Sequence, residues 1–495
     1  MSVSSTSLSR PPRTQAFING TFTDAENGAL FDDLDPSTGT LLTKVAACSE
    51  ADVDRAVKAA RAAFQAGTWS KIAPRDRKAI LRRFADLIEA NAAELAQLDS
   101  VDAGKPITDC EELDLPDVVN NIRWYAEAMD KVYGKVSETT EANLGLALRE
   151  PMGVVGMVLP WNFPLPTLSW KIAPALAAGN SIVVKPAELA PLSTLRVAEL
   201  ALEAGIPAGV FNVVPGLGHI AGKALGLHPD VDVISFTGST EIGRQFLRYS
   251  ADSNLKKVVL ECGGKSPQIV MDSAGSDLAA IAENLAGAAF WNMGQNCTCG
   301  SRILVQNTIR EDFVAALEQA AKSWVVGKPS ARDTKLGPLI EASAQTRVLA
   351  AIEKGQADGA RLVHGGERAL PDSGGWYVQP TIFDQVDPAS DLATQEIFGP
   401  VVAVIGFDTE EEAISIANGS EYGLAATVFS KDIDVAIRMA RRIQAGTVAV
   451  NGYGEGDITT PFAGYKTSGF GGYDKGLEAF DQYTQLKTVW ITLNP

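Results

Sequence analysis

Between residues 150 and 270 the chain repeats short, wholly apolar, β-branched runs, VVGMVL, SIVV, VFNVV, DVISF, KKVVL and PQIVM, the earlier ones separated by helical stretches. Runs without polar alternation are buried on both faces. With helices between them, they predict parallel strands covered above and below, a doubly wound α/β sheet. Such sheets bind ligands at the carboxyl ends of their strands, where the turns Pro160 to Pro164 and Thr237 to Gly243 fall. A second strand and helix alternation, from about 265 to 450, predicts a second α/β domain. It opens with a helix that Ser276 would cap and that carries Leu278, Ile281 and Leu285.

Upstream, Val53, Ala56, Val57, Ala60 and Phe64 recur at helical spacing, and further helical patterns cover 75 to 98 and 117 to 131. The closing stretch YTQLKTVWITL alternates and is rich in Val, Ile, Thr and aromatics, so it reads as a strand without a local partner. Another subunit's sheet would supply that partner; an edge strand on its own sheet is the alternative. Residues 1–15, rich in Ser, Pro and Arg, read as a flexible tail, with order from Ala16.

The 495 residues exceed one compact core, which fits two substantial domains. A net charge of −17 repels polyanions, so nucleic acid is not an expected partner while small cationic ligands are. No stretch approaches the roughly 20 apolar residues of a membrane span, and the N-terminus lacks a secretory core, so a cytoplasmic protein without membrane association is expected. Five scattered cysteines (Cys48, Cys110, Cys262, Cys297, Cys299) have neither disulfide-framework nor zinc spacing, which predicts reduced thiols and no metal. The three histidines, His219, His228 and His364, lie outside the clusters described next. A general base is therefore expected to be a carboxylate.

Five clusters carry chemistry. GQNCTCGSR places Cys297 after a loop of small and amide residues at the end of a helical pattern, where backbone can approach a ligand. Read alone, Cys297 is either a nucleophile or a buried apolar thiol. A thiol with a pKa of about 8.5 is only a few per cent thiolate at neutral pH and needs electropositive surroundings, which a bound nicotinamide cation would supply. In LECGGKSP, Glu261 ends an apolar strand before two glycines that keep bulk from its carboxylate. Partial desolvation there raises a carboxylate towards the range of a general base; a solvated turn glutamate is the plain reading. PWNFP holds Asn162 between Pro160 and Pro164, so its amide is fixed, either to donate to an oxyanion or only for turn geometry. FTGSTEIG follows a strand and precedes a helix, so its free N–H groups and the helix dipole can hold a pyrophosphate, although the usual G-x-G-x-x-G spacing is absent. VVKPAE adds Lys185 and Glu188 at another strand end, placed for ribose hydroxyls or simply solvated.

Together PWNFP, KPAE, FTGST, LExGGKSP, GQxC, EIFGPV and KxSGxG resemble the aldehyde dehydrogenase superfamily, in its order and at about its spacings, over nearly the whole chain after the tail. The resemblance implies an aldehyde dehydrogenase-like α/β fold: a doubly wound, Rossmann-type NAD(P)-binding domain (16–131 and 152–262), an α/β catalytic domain (263–470) and a β oligomerisation arm (132–151 and 480–495). It implies oxidation of a small-molecule aldehyde to a carboxylic acid with NAD, NADP being possible. Cys297 then matches the nucleophile, Glu261 the general base and Asn162 the oxyanion donor, with the Cys297 N–H beside it. Pro160, Trp161, Lys185, Glu188, Phe236, Gly238, Ser239 and Gly263 match cofactor contacts, and Glu396 and Phe398 hold the nicotinamide ribose. Retention of Glu261 argues against the CoA-acylating branch. A homodimer or homotetramer is implied, and a catalytically silent family member is the alternative class, disfavoured because thiol and base are both present. The family's PFGGxKxSGxGRE reads here PFAGYKTSGFGGYDKG, with Ala463 for a glycine and Gly472-Tyr473 for Arg-Glu. Cys299 stands where alanine is usual and offers a strained disulfide partner for Cys297.

IRWYAEAMDKVYG and the stretch from GDITTPF to LKTVWITL are most similar to the enzymes of aminoaldehydes and γ-glutamyl-γ-aminobutyraldehyde, which implies polyamine catabolism. Asp114 and Asp117, three residues apart, share a helix face and match acidic positions that hold a substrate amine; a solvated helix start is the alternative. Asp457 is a second expected anchor, and Phe163, Trp170 and Tyr453 are expected tunnel walls. The expected substrates are ω-amino or ω-guanidino aldehydes, with a broad-specificity aliphatic or aromatic aldehyde dehydrogenase as the alternative.

Overall fold

The computed structural model describes Leu8 and residues 10–493. Five parallel strands form the middle of the first sheet, in the spatial order Phe211–Val213, Ser181–Lys185, Val154–Val158, Val233–Thr237, Lys257–Glu261. The hairpin of Ala16–Ile18 and Thr21–Thr23 extends one side, and Gly469–Phe470 closes the other beside Glu261. The central strands feed a core on each face: Ile182 and Val184 pack in a cluster with Leu168, Ile172 and Leu195, while Val183 between them belongs to a cluster with Val53, Val57 and Phe246. Burial on both faces is why these strands lack polar alternation.

Chain order creates the binding crevice. From Val154–Val158 the chain builds outward to one side and then returns to lay Val233–Thr237 against the opposite edge of the same strand. The loops leaving these two neighbours run apart, which opens a crevice at their carboxyl ends. The PWNFP and FTGST turns follow those two ends.

The second sheet has seven strands, in the order Arg361–His364, Thr381–Asp384, Val401–Phe407, Arg302–Gln306, Pro267–Val270, Ala425–Phe429, Thr447–Val450, all parallel except the first pair. PQIVM, grouped by pattern with the first sheet, is an inner strand of this one. Residues 262–266, CGGKS, are all that separate it from Glu261.

The last strand, Thr484–Thr492, pairs antiparallel along its length with Asn143–Pro151, which also pairs with Lys135–Ser137. The reading that this strand lacks a local partner is corrected: it has an in-chain one on one side, because alternation marks a strand without marking its neighbour, and it stands at the edge of its sheet. Two helical readings are also corrected. The pattern over 75 to 98 is two helices, Pro74–Ala90 and Ala92–Ala103, broken at Asn91, whose side chain competes for the Leu87 carbonyl (2.7 Å). Helix Leu278–Phe290 is capped by Asp277, not Ser276, its carboxylate accepting from Ala280 N at 3.1 Å. Of the segment read as a flexible tail, residues 1–7 and 9 lie outside the described residues, while Arg10 and Arg13 pair with Glu199 (2.8 and 2.5 Å). Among the described residues no helix is long and apolar enough to cross a membrane.

The helix Glu50–Ala66 beneath the first sheet begins with a reciprocal cap between Ser49 and Asp52. Asp52 is fully buried and also accepts from Glu26 N (3.0 Å) and pairs with Arg55 (2.5 Å). Burial pushes this carboxyl up, but the donors from Ser49, Arg55 and Glu26 outweigh it and hold it below its ordinary value. A depressed carboxyl contributes stability that is fully present above its unfolded value, about 3.9, and is lost as pH falls through the folded one. Asp52→Ala is therefore expected to lower the thermal midpoint by a few degrees near neutrality, and the gap to wild type should shrink below about pH 4 in calorimetric scans.

Candidate active site

A cavity of about 1440 Å³ runs from the crevice of the first sheet to the segments entering the second. Pro160, Trp161, Lys185, Glu188, Phe236, Gly238 and Ser239 line its first-sheet side. Lys185 ends its strand almost wholly buried, and its Nζ lies 2.5 Å from Glu188 Oε2, while Glu188 Oε1 accepts from Gly218 N at 3.2 Å. Burial pushes Lys185 down. Glu188, despite its own burial, is held below the ordinary carboxylate range by Lys185, so it stands as a fixed anionic acceptor. Ser239 caps the helix Thr240–Ala251, accepting from Ile242 N, and the positive end of that helix faces the same space. A Cβ at Gly238 would come within 2.5 Å of the Phe236 ring, so a side chain at this turn would have to displace that ring. An acceptor for hydroxyls, a helix N-terminus and a glycine lip at the switch point of a parallel sheet fit a dinucleotide. His219 and Lys223 also line this wall. VVPGLGHIAGK, a glycine-rich stretch after a strand, carried the signal for them and was passed over.

Two glycines bring the sheets together. A Cβ at Gly263 would lie 2.2 Å from Glu396 Oε2, and one at Gly264 would lie 2.3 Å from the Cys297 carbonyl. Gly264 N donates to Glu396 Oε1 (2.9 Å), and burial pushes the Glu396 carboxyl up to about 7. Phe398, with φ of 56°, sets its ring edge-on to Trp161 at 5.3 Å. Gly294, with φ of 66°, packs against that segment from the turn before Cys297, and a Cβ there would meet the Gly399 carbonyl at 2.2 Å.

Cys297 sits on the segment that enters strand Arg302–Gln306, after a turn in which Asn292 and Met293 both have positive φ (51° and 59°). Side-chain amides fasten this turn to PWNFP: Asn162 Nδ2 donates to the Gln295 carbonyl (2.9 Å), and Asn292 Nδ2 donates to the Asn162 carbonyl (2.9 Å). Asn162 is buried yet lines the cavity, so its amide is held where a second N–H can serve a ligand. Cys297 is half-buried in the cavity wall, and burial followed by the charges of Glu455, Glu396 and Glu261 pushes its thiol well up. Glu261 is pushed well up by burial and by Asp474, against Lys171 and a weak backbone donor at Gly464, and no side chain donates to either of its oxygens among the described residues. A buried carboxylate held by so few donors is a strong proton acceptor. Lys171 and Asp474, buried and 2.9 Å apart, stand behind it. Asp474 follows the Gly472-Tyr473 departure noted in the sequence, and is turned inward while Tyr473 is half-exposed.

The far end of the cavity is aromatic: Phe163 against Trp291 at 5.1 Å, and Trp170 against Phe462 at 5.5 Å. Asp117 accepts from Trp170 Nε1 and Asn121 Nδ2, each at 2.9 Å. Asp114, the other expected amine position, reaches the wall too, but it is buried rather than solvated and already pairs with Lys105 Nζ at 2.5 Å. Asp457 is corrected outright. It does not line the cavity and closes its own exposed turn, accepting from Thr459 N (2.8 Å). Tyr453 lines the cavity, and with it Glu455, which the sequence reading overlooked. Cys299 is turned away, with its Sγ 3.3 Å from the Ala289 carbonyl and burial pushing it up to about 12, so a strained disulfide with Cys297 is not supported.

A family model described as "Aldehyde dehydrogenase family" matches residues 22–489. The chain is 50% identical over 477 residues to an aminoacetaldehyde dehydrogenase of Pseudomonas aeruginosa, covering 96% of this chain and 95% of that protein. It resembles a solved γ-glutamyl-γ-aminobutyraldehyde dehydrogenase of Burkholderia cenocepacia (TM-score 0.96, 50% identity, 98% of each chain covered). It resembles equally an indole-3-acetaldehyde dehydrogenase of P. syringae solved with NAD+ and IAA (TM-score 0.96, 50% identity, 98% of each chain).

The contact at Gly264 can be tested directly. A methyl there collides with the Cys297 backbone, and a displacement of about 1 Å at a reacting group can cost about 100-fold in rate. Gly264→Ala is expected to lose turnover on that scale and, because the atom it meets is backbone, to lower the thermal midpoint by a few degrees while its circular dichroism stays near wild type.

Proposed function

The chain belongs to the aldehyde dehydrogenase family, is an NAD(P)-dependent aldehyde dehydrogenase, and from that premise we propose how its residues divide the work. Cys297 is the nucleophile, Asn162 Nδ2 and the Cys297 N–H hold the oxyanion, and Glu261 is the general base. The observation that carries this reading is that all three line one cavity with Lys185, Glu188 and Ser239. Lys185 and Glu188 hold the adenosine ribose, Ser239 and the amides after it the pyrophosphate, and Glu396 and Phe398 the nicotinamide ribose. When bound there, NAD(P) supplies the two-electron acceptor of the oxidation. Glu188, pinned by Lys185 and Gly218, crowds a 2′-phosphate and favours NAD.

The thiolate adds to the aldehyde carbon, and the oxygen that gains charge is held by donors already fixed in place. Loss of hydride leaves a thioester on Cys297. Glu261 then takes a proton from water, the hydroxide adds to the thioester carbon, and the thiolate leaves as the carboxylic acid forms. Burial, opposed by Lys171 and the Gly464 backbone, keeps the proton affinity of Glu261 high enough for that step.

The preferred substrates are ω-amino, ω-guanidino or γ-glutamylamino aldehydes. Asp117 supports this, fixed by Trp170 and Asn121 in the aromatic end of the cavity. The second reading, a broad-specificity or aromatic aldehyde dehydrogenase, is favoured by the Phe163, Trp291, Trp170 and Phe462 walls and by the indole-3-acetaldehyde relative. A non-catalytic role is disfavoured because thiol and base are both retained. Free cysteines throughout the described residues support a cytoplasmic enzyme, and the outer edge of Thr484–Thr492, with Leu486 and Trp490 exposed, supports a homodimer or homotetramer.

Two experiments test the reading. Glu261→Gln should release one equivalent of NADH in a burst and then turn over about 100- to 10,000-fold more slowly, because the thioester forms but is not hydrolysed. A linear, burst-free loss would remove Glu261 from that role. In steady state, 4-guanidinobutanal should be oxidised more efficiently than hexanal, and Asp117→Asn should erase about tenfold of that preference. Equal efficiencies that are unchanged in the variant would favour the broad-specificity reading.

A further inference from the structure

Glu455 stands in the wall of the cavity, half-buried, on the loop after strand Thr447–Val450. Its Oε1 receives hydroxyls from two sides, Thr298 and Tyr453, and Thr298 is the residue next to Cys297. Tyr453 OH in turn lies 2.6 Å from Thr298 Oγ1 and accepts from Asn296 Nδ2 at 3.0 Å. The carboxylate is thus fixed beside the thiol, and its Oε2 accepts no hydrogen bond among the described residues. Among the described residues neither Cys297 nor Glu455 has a cation as a direct partner. Around them stand Glu261 backed by Lys171, Glu396 beside Lys265, and, further out, Lys475 over the Trp170 ring at 4.1 Å.

An unpaired anion beside a thiol that must ionise is a cost to any neutral substrate. We propose that Glu455 receives the ammonium group of the shortest ω-aminoaldehydes and that the same contact readies Cys297, so that the substrate's own charge assists its oxidation. The inference rests on Cys297 being the nucleophile, as proposed above. Its chemistry follows from distance along the substrate: in aminoacetaldehyde and 3-aminopropanal only two or three bonds separate the nitrogen from the carbonyl carbon. With that carbon at Cys297, the ammonium falls near Thr298 and Glu455 rather than at Asp117 beside Trp170. Longer ω-amines and guanidines pass Glu455 and reach Asp117. The two carboxylates then sort substrates by length. Among the charges that push the Cys297 thiol up, Glu455 is the largest, so pairing it with an ammonium favours the thiolate, whereas a neutral aldehyde leaves the opposing charge in place.

The test compares 3-aminopropanal with butanal, which replaces the ammonium by a methyl group of similar size, in wild type and Glu455→Gln across a pH series. The substitution is expected to lower kcat/KM for 3-aminopropanal by about 10- to 100-fold, the scale of a lost charge-assisted hydrogen bond. For butanal the same substitution should leave kcat/KM unchanged or raise it, move the acid limb of the pH profile to lower pH, and speed iodoacetamide alkylation of Cys297 near neutrality. Glu455→Asp should recover part of the amine preference. A parallel loss for both aldehydes, or an amine preference that survives Glu455→Gln, overturns the inference. A wild-type enzyme with no preference for 3-aminopropanal over butanal also overturns it, whatever its preference among longer substrates. Failure of the Cys297 reading is distinguished by turnover of either aldehyde persisting in Cys297→Ser.

Discussion

The site depends on the close approach of two backbones across CGGKS. Gly263 and Gly264 leave no room for a methyl between the end of the first sheet and the segments that enter the second. Because of that fit, Glu396 and the Cys297 backbone lie against the strand that ends at Glu261. The Asn162, Asn292 and Gln295 amides then tie PWNFP to the Cys297 turn from the other side. Three segments distant in sequence are thereby fixed by backbone contacts and amide hydrogen bonds, which hold geometry better than flexible charged side chains do.

The electrostatics of the site run in one direction. Glu455 places negative charge beside the thiol, and Glu261 and Glu396 add to it when ionised, although burial pushes both of those carboxyls up. Such surroundings oppose ionisation of Cys297. In the proposed reading nicotinamide brings one compensating positive charge and a cationic substrate a second. Lys171 and Asp474, paired behind Glu261, supply a buried charge pair that neutral residues of the same size would not.

Relatives of equal overall similarity bear names for different aldehydes, a γ-glutamylated aminobutyraldehyde in one case and an indole in another. The fold and the machinery that all of them share are therefore indifferent to the far end of the substrate. In the proposed reading discrimination falls to a few side chains, Asp117 with Trp170 and Glu455 with Thr298, set among aromatic walls.

The sequence by itself determined the parallel α/β character of the chain, through strands with no polar alternation, and the candidate chemistry, through glycine-flanked motifs whose order resembles one family. It also located the crevice, since PWNFP and FTGST mark the carboxyl ends of two strands. Which strands are neighbours was decided only by tertiary structure: PQIVM joined the second sheet, and the final strand found its partner at Asn143–Pro151. The fate of individual charges was likewise invisible in the chain. Asp114, Asp117, Glu455 and Asp457 read alike as acidic residues, yet one is matched by Lys105, one is held by Trp170, one faces the thiol and one closes a surface turn. The physical reason is that hydrophobic period and glycine placement are local properties, whereas the partner of a carboxylate is set by whatever the fold brings to it from elsewhere.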